Sequence, residues 1–208
     1  TRIVYIANPN NPTGTWVNKN SLEKFLNRVP ERVWVVLDEA YFEYVDEKDY
    51  PDGVKMLVDY PNLIVTRTFS KIHGMAALRI GYSVTSSGFA DLMNRIRQPF
   101  NVNSLALAAA EAALADDDYV NASRRLNTTG MGDVVEGLGK LGFSVIPSVG
   151  NFVCFEGGRA SHTIYEALLQ RGVIVRPLGN YGMNEHLRVT VGLPDENERF
   201  LEALSQSS

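Results

Sequence analysis

The chain has 208 residues, 45% of them hydrophobic and 21% charged, an ordinary globular composition with enough length to bury a sizeable core. Lys and Arg number 20 against 24 Asp and Glu, for a net charge of −4 without a basic block in either half, which excludes the clustered cations that nucleic-acid phosphates require. The single cysteine, Cys154, excludes an internal disulfide and a cysteine-rich metal site and fits a reducing compartment; no apolar stretch reaches membrane-spanning length, the Ala-rich run from Leu105 being broken by Glu111.

The opening "TRIVYIANPN" lacks Met and a charged leader and reads as a strand already in progress, so the expectation is a chain without its natural N-terminus. Ile3 to Ala7 is a short β-branched run, followed at once by the turn chemistry of "NPNNPTG". Asn20 is predicted to cap a helix carrying Leu22, Phe25, Leu26 and Val29 at helical spacing, with Glu23 completing a capping box. "VWVVLDEA" (33–40) and "NLIVTRTFSK" (62–71) are continuous apolar runs ending in polar residues, the form of strands buried on both faces in a parallel sheet. Beyond Tyr82, helices are expected from near Ser87, from Leu105 to Ala115, and over 117–140, the last weakened by Gly130, Gly132, Gly137 and Gly139. Short strands near 143–147, 151–155, 173–176 and 186–191 and helices at 161–171 and 195–206 complete the pattern. The fold class is therefore α/β, a mostly parallel sheet with helices on both faces over 1–115, followed by a small α+β domain over 116–208.

Three of the early strands end in distinctive polar clusters: Asn11-Pro12-Thr13-Gly14, Asp38-Glu39-Ala40-Tyr41 and Thr68-Phe69-Ser70-Lys71. Carboxyl ends of parallel strands line one edge of an open sheet, where ligands bind, so Asn11, Asp38, Tyr41, Thr68, Ser70 and Lys71 are expected in one crevice. A nucleophilic lysine forms Schiff bases with carbonyl compounds, pyridoxal phosphate among them. That cofactor needs a carboxylate at its ring nitrogen, for which Asp38 is placed, and donors at its phenolic oxygen, which an Asn amide and a Tyr hydroxyl supply. Its phosphate needs hydroxyls and a guanidinium fork, available in Thr68, Ser70 and Arg79. On local sequence alone, Asp38 could instead cap a helix or form a turn after its strand, "NPNNPTG" could be only a turn, and Cys154 sits in a pattern that favours a small core residue. His73, His162 and His186 are too scattered to suggest a metal site, and none is expected.

"NPNNPTG", "DEAYFEY" and "TRTFSKIHGMAALRIGY", in that order, resemble the fold-type I, aspartate aminotransferase-like pyridoxal-phosphate enzymes, and "GVIVRPLGNYGMNEHLRVTVG" (172–192) narrows the likeness to the histidinol-phosphate aminotransferase family. The resemblance implies that 1–115 is the C-terminal part of a large cofactor-binding domain, with pyridoxal 5'-phosphate in Schiff-base linkage to Lys71. It further implies that Lys71 shuttles the substrate proton, that Asp38 partners the pyridinium, that Tyr41 and Asn11 donate to the phenolic oxygen, and that Thr68, Ser70 and Arg79 hold the phosphate. Arg188 is similar to the arginine that grips the substrate carboxylate, with Asn11 alongside, and Arg176 to a second one near the distal end of the substrate. The implied partners are an amino donor, histidinol phosphate first, and a 2-oxo acid acceptor, in a cytoplasmic homodimer without nucleic acid or membrane.

Two departures stand out. Family members carry a long portion ahead of the loop that contributes a phosphate seat and a ring stacked on the pyridine, and this chain has none of it, which leaves the activity of the chain alone open. His73 stands where an aromatic or apolar residue is commoner. The cofactor motifs do not separate an aromatic aminotransferase or a phosphothreonine decarboxylase on the same scaffold. An aminotransferase-like sensing module of a transcription regulator remains a third alternative.

Overall fold

The structure is a computed structural model that describes residues 1–207. The chain folds as two compact units: Thr1–Pro9 with Trp16–Asn121, and Asn10–Thr15 with the chain from Ala122 onward.

The first unit is built on a four-stranded sheet in the order β1-β2-β3-β4, made of β1 (Ile3–Ala7), β2 (Trp34–Asp38), β3 (Leu63–Thr68) and β4 (Gly81–Thr85). β1, β2 and β3 run parallel, whereas β4 pairs antiparallel to β3, with Thr68 opposite Gly81. The continuous apolar runs are strands covered on both faces, since Val35, Val36 and Leu37 of β2 and Leu63, Ile64 and Val65 of β3 are all buried. β1 is an edge strand instead, and its Tyr5 is 74% exposed. β4 has no counterpart among the expected strands. "GYSVT" is short and half polar, and its place in the sheet comes from pairing with β3, a long-range contact that local patterning does not record.

Helix α1 (Lys19–Leu26) corrects the expected cap: Asn18, not Asn20, receives the Ser21 N–H on its side-chain oxygen at 2.9 Å. Asn20 is already inside the first turn, and Glu23 sits 3.7 Å from Lys19 as an i,i+4 pair rather than closing a box. Leu22 and Leu26 of α1 pack with Val35, Leu37, Leu63, Val65 and the Met56 of α2 (Gly53–Met56), and Val29 joins them from beyond the helix end. Helices α3 (Ser87–Ile96) and α4 (Ser104–Leu114) follow, and α4 lays Ala106 and Ala110 against Phe69 and Ile80.

Helix α5 (Asp117–Lys140) runs unbroken despite four glycines, and begins in the first unit. Two of the glycines mark close packing: a Cβ on Gly137 would lie 2.4 Å from Leu201, and one on Gly130 would lie 2.7 Å from Asn197. The side chains that approach there offset the helix propensity given up by glycine.

The second unit carries an antiparallel sheet in the order β5-β6-β8-β7, with β5 (Ser144–Ile146), β6 (Phe152–Glu156), β7 (Arg176–Pro177) and β8 (His186–Thr190). β7 is shorter than expected, because Val173 is spent closing helix α6 (Ser161–Gln170), its N–H donating to Leu168, and Pro177 has no N–H to extend a ladder. Helix α7 (Pro194–Ser205) starts with proline in its first turn and with Glu196 accepting the Leu193 N–H at 2.8 Å. Phe152 and Phe155 are fully buried in β6, and the second of these packs with Val134, Leu168, Leu187 and Phe200 in one core that joins sheet and helices.

Candidate functional site

Parallel pairing brings the carboxyl ends of β1, β2 and β3 to one edge of the first sheet, with Ala7 opposite Asp38 and Asp38 opposite Thr66. The ladder persists to the point where the polar clusters begin. The Asn8 N–H donates to the Asp38 carbonyl at 3.0 Å and the Glu39 N–H to the Thr66 carbonyl at 2.9 Å. Asp38 is exposed at that edge, with Oδ1 accepting the Ala40 N–H at 3.1 Å. Tyr41, just beyond it, is only 4% exposed, and Lys71 Nζ stands 5.3 Å from the centroid of its ring.

Lys71 itself is exposed, yet the loop around it is held. Phe69 and Ile72 on either side are buried, and the Lys71 carbonyl accepts the Gly74 N–H at 2.9 Å. An open amine on a pinned backbone suits a group that must meet a carbonyl in a repeatable geometry. Thr68 Oγ1 accepts the Ser70 N–H at 3.0 Å, so these two candidate phosphate ligands share one turn. Arg79 closes the loop with φ 55, a left-handed backbone that costs a non-glycine residue about 1–2 kcal/mol, and its Nη1 donates to the Ala76 carbonyl at 2.8 Å. Strain of that kind gathers at functional positions. Asp38, Tyr41, Thr68, Ser70, Lys71 and Arg79 thus all belong to the first unit.

The remaining candidates belong to the second. The "NPNNPTG" loop leaves the first unit after Pro9, and both of its X-Pro bonds, Asn8–Pro9 and Asn11–Pro12, are cis. Buried Asn8 closes the loop at its base, donating to the Val17 carbonyl at 3.1 Å and accepting the Val17 N–H at 2.8 Å. Inside it, Gly14 has φ 76, and a Cβ there would stand 2.0 Å from Ser148 Oγ. Gly14→Ala is therefore expected to destabilise the complete protein by about 1–3 kcal/mol, read by denaturant unfolding. A variant as stable as the parent would show that the loop does not need this approach.

Asn11 Oδ1 accepts a hydrogen bond from Arg188 Nη1, and the Arg188 guanidinium carbon lies 5.1 Å from the Phe152 ring centroid. In register, Arg188 of β8 stands between Cys154 of β6 and Arg176 of β7. Two arginines directly opposite each other repel, so their pairing favours an anion in their neighbourhood. Cys154 is buried, and burial pushes its thiol up to about 11 despite the lowering pull of Arg188. The thiolate is the reactive form, so Cys154 is expected to resist alkylation at pH 8 until the protein is unfolded; labelling of the native protein within minutes would contradict this.

Within the first unit, beside Asp38 and Thr68 in the chain, lies a buried ion cluster that the sequence did not reveal. Arg67 donates to Glu39 through Nε and Nη2 at 2.9 and 2.8 Å, and through Nη2 to Asp52 at 3.1 Å. Burial pushes the Glu39 carboxyl above its ordinary range, against the lowering pull of Arg67. The Tyr50 phenol, raised by burial first and by the Glu39 charge next, stays protonated and donates to the Asn8 carbonyl. The available signal was weak: Arg67 lies inside the run that forms β3, and Glu39 directly follows Asp38 at the end of β2. Among the described residues, no group of three or more His, Cys, Asp or Glu side chains could hold a metal ion, and no helix is long and apolar enough to cross a membrane.

The family model described as aminotransferase class I and II matches residues 1–204. The chain is a member of the class I and II aminotransferases. Within that family it is 59% identical over 204 residues to a protein named histidinol-phosphate aminotransferase 2 from Pseudomonas fluorescens (strain Pf0-1), covering 98% of this chain and 55% of that relative. Among solved structures it is similar to the histidinol-phosphate aminotransferase of Sinorhizobium meliloti in complex with pyridoxal-5'-phosphate, with a TM-score of 0.92, 33% identity, and coverage of 99% of this chain and 57% of that one. It is also similar to the L-threonine-O-3-phosphate decarboxylase of Porphyromonas gingivalis, with a TM-score of 0.85, 26% identity, and coverage of 98% and 63%. This aminotransferase-family chain spans about half the length of the curated relatives it matches. The α/β class expected from the sequence agrees with these structures.

Proposed function

We propose that the chain is the lysine-bearing part of a pyridoxal-phosphate-dependent aminotransferase that transfers an amino group from histidinol phosphate to 2-oxoglutarate. The observation that carries this is the exposed Lys71 amine beside the Tyr41 ring at the carboxyl edge of the sheet, in a chain 59% identical over 204 residues to a histidinol-phosphate aminotransferase. The first unit's donor set fits the cofactor: an amine, a carboxylate, a phenol, two hydroxyls on one turn and an arginine at the loop's end. When bound, pyridoxal phosphate supplies an electron sink for the carbanion formed at the substrate Cα.

The protein's own groups have distinct tasks. Lys71 Nζ would hold the cofactor and would carry the proton at the substrate Cα. Asp38 keeps a proton on the ring nitrogen, and Tyr41 with Asn11 donates to the phenolic oxygen. Thr68, Ser70 and Arg79 bind the phosphate. Arg188, oriented by Asn11 and Phe152, grips the carboxylate of the 2-oxo acid acceptor, and Arg176 takes the distal end of the substrate. Donor and acceptor alternate at one site, so the kinetics are ping-pong.

Residues 1–115 are proposed as the C-terminal part of the large domain and 116–208 as the small one. The whole protein is proposed as a cytoplasmic homodimer, a reading supported by the family likeness. Sedimentation of the complete protein as a monomer would overturn the dimer.

The second reading, a phosphothreonine decarboxylase, is favoured by the likeness to the Porphyromonas enzyme. The complete protein is to be assayed with histidinol phosphate plus 2-oxoglutarate and, separately, with O-phosphothreonine. Formation of glutamate with the first supports the aminotransferase. Release of carbon dioxide from the second, without glutamate from the first, replaces it.

A further inference from the structure

None of the proposed roles uses the polar cluster behind the candidate cofactor face. Glu39 is fully buried and Arg67 is 13% exposed, and a charge pair taken that far out of water is costly unless its geometry is good. Here it is good. The Arg67 fork meets Glu39 Oε2 at 2.8 and 2.9 Å and reaches Asp52 at 3.1 Å, while Glu39 Oε1 accepts the Gly53 N–H at 2.8 Å. The guanidinium carbon also lies 3.6 Å from the centroid of the Phe42 ring. One cluster therefore ties together the ends of β2 and β3 and the start of α2.

Position in the chain gives the cluster its consequence. Glu39 follows Asp38 directly, and Arg67 precedes Thr68 directly. Successive side chains of extended backbone point to opposite faces, so the fork lies on one face of the two strand ends while Asp38 and Thr68 lie on the other. An apolar pair would fill the same volume without directional bonds, and the strand ends could slide. Two donors converging on Glu39 Oε2, with a further bond to Asp52, resist that sliding, and the neighbours across the backbone are held with them.

We propose that Glu39, Arg67 and Asp52 are positioning residues for the cofactor face: their ion cluster locks the ends of β2 and β3 so that Asp38 and Thr68 are held for the ring nitrogen and the phosphate of a pyridoxal-type cofactor. This rests on the proposed cofactor role of the site. It adds three residues that touch neither cofactor nor substrate.

The test uses the complete protein and the variants Arg67→Met and Glu39→Gln, each studied well below its unfolding midpoint. Two quantities are read: the Kd for pyridoxal phosphate added to the apoprotein, and the apparent pKa of the bound cofactor's visible absorbance. Both variants are expected to raise the Kd about tenfold and to move the apparent pKa, the size of effect typical of groups that support a site from behind. Arg67→Lys keeps the charge but loses the fork, and is expected to recover only part of the affinity. Should Arg67→Met fail to fold, Glu39→Gln preserves the side-chain volume and the Gly53 acceptor and carries the same two readouts. A lower unfolding midpoint with unchanged Kd and absorbance titration makes the cluster purely structural and overturns the proposal. Absence of the visible band in the parent protein overturns the cofactor reading and this proposal together; a normal parent with indifferent variants overturns this proposal alone.

Discussion

Lys71→Ala in the complete protein is expected to abolish the visible absorbance of the covalently held cofactor and to lower the transamination rate by about 10⁴-fold, roughly 5 kcal/mol of barrier. Two losses combine in one substitution. In the proposed roles of Lys71, the cofactor's aldehyde loses the amine that would hold it, and the proton at the substrate Cα loses its carrier. The fold should be indifferent, because Lys71 is exposed and the loop is anchored by buried Phe69 and Ile72 and by the Lys71 carbonyl, all of which alanine leaves in place. An unchanged unfolding midpoint together with a lost band is therefore the specific signature. A variant with parental spectrum and rate would make Lys71 an ordinary surface lysine and sink the proposed function.

Asp38→Asn is expected to lower kcat by about 10³-fold while the protein still folds and still binds the cofactor. Asparagine retains an oxygen for the Ala40 N–H that Asp38 Oδ1 accepts at 3.1 Å, so the local turn survives. In its proposed role, what disappears is the negative charge that would keep a proton on the ring nitrogen, and with it the cofactor's capacity to withdraw electrons. The loss should appear in kcat far more than in cofactor affinity, and the bound cofactor's absorbance should titrate at a different pH. Parental kcat in a folded, cofactor-loaded variant would remove Asp38 from the ring nitrogen.

Much of the first unit is legible in the sequence because the relevant signals are local. A β-branched run such as Leu63–Thr68 declares a buried strand through its own composition, and the polar residues that follow declare where it reaches the sheet edge. The cap of α1 is off by two residues in the sequence because Asn18 and Asn20 are chemically identical, and only the backbone shows which one still lies outside the helix. β4 is invisible for a different reason: "GYSVT" becomes a strand only when β3 offers a free edge.

The candidate residues divide in the same way. Lys71, Asp38, Tyr41, Thr68 and Ser70 can be singled out because each lies at or just past the end of a recognisable strand, and parallel pairing then brings those ends to one edge. Asn11 and Arg188 are hydrogen-bonded although 177 residues apart, a partnership that no local pattern encodes. The Glu39–Arg67–Asp52 cluster likewise joins separate segments, and in sequence its members resemble the solvated charges found everywhere on protein surfaces.

By itself, then, the sequence determined most kinds of element, the ends of the buried strands β2 and β3 and the chemistry waiting there, because propensity, hydrophobic period and turn chemistry act over a few residues. The tertiary structure alone decided which strand ends become neighbours, that Arg67 is buried against Glu39, and that Arg188 meets Asn11. Those outcomes depend on burial and on hydrogen bonds between segments far apart in the chain, and such interactions exist only after the chain has folded.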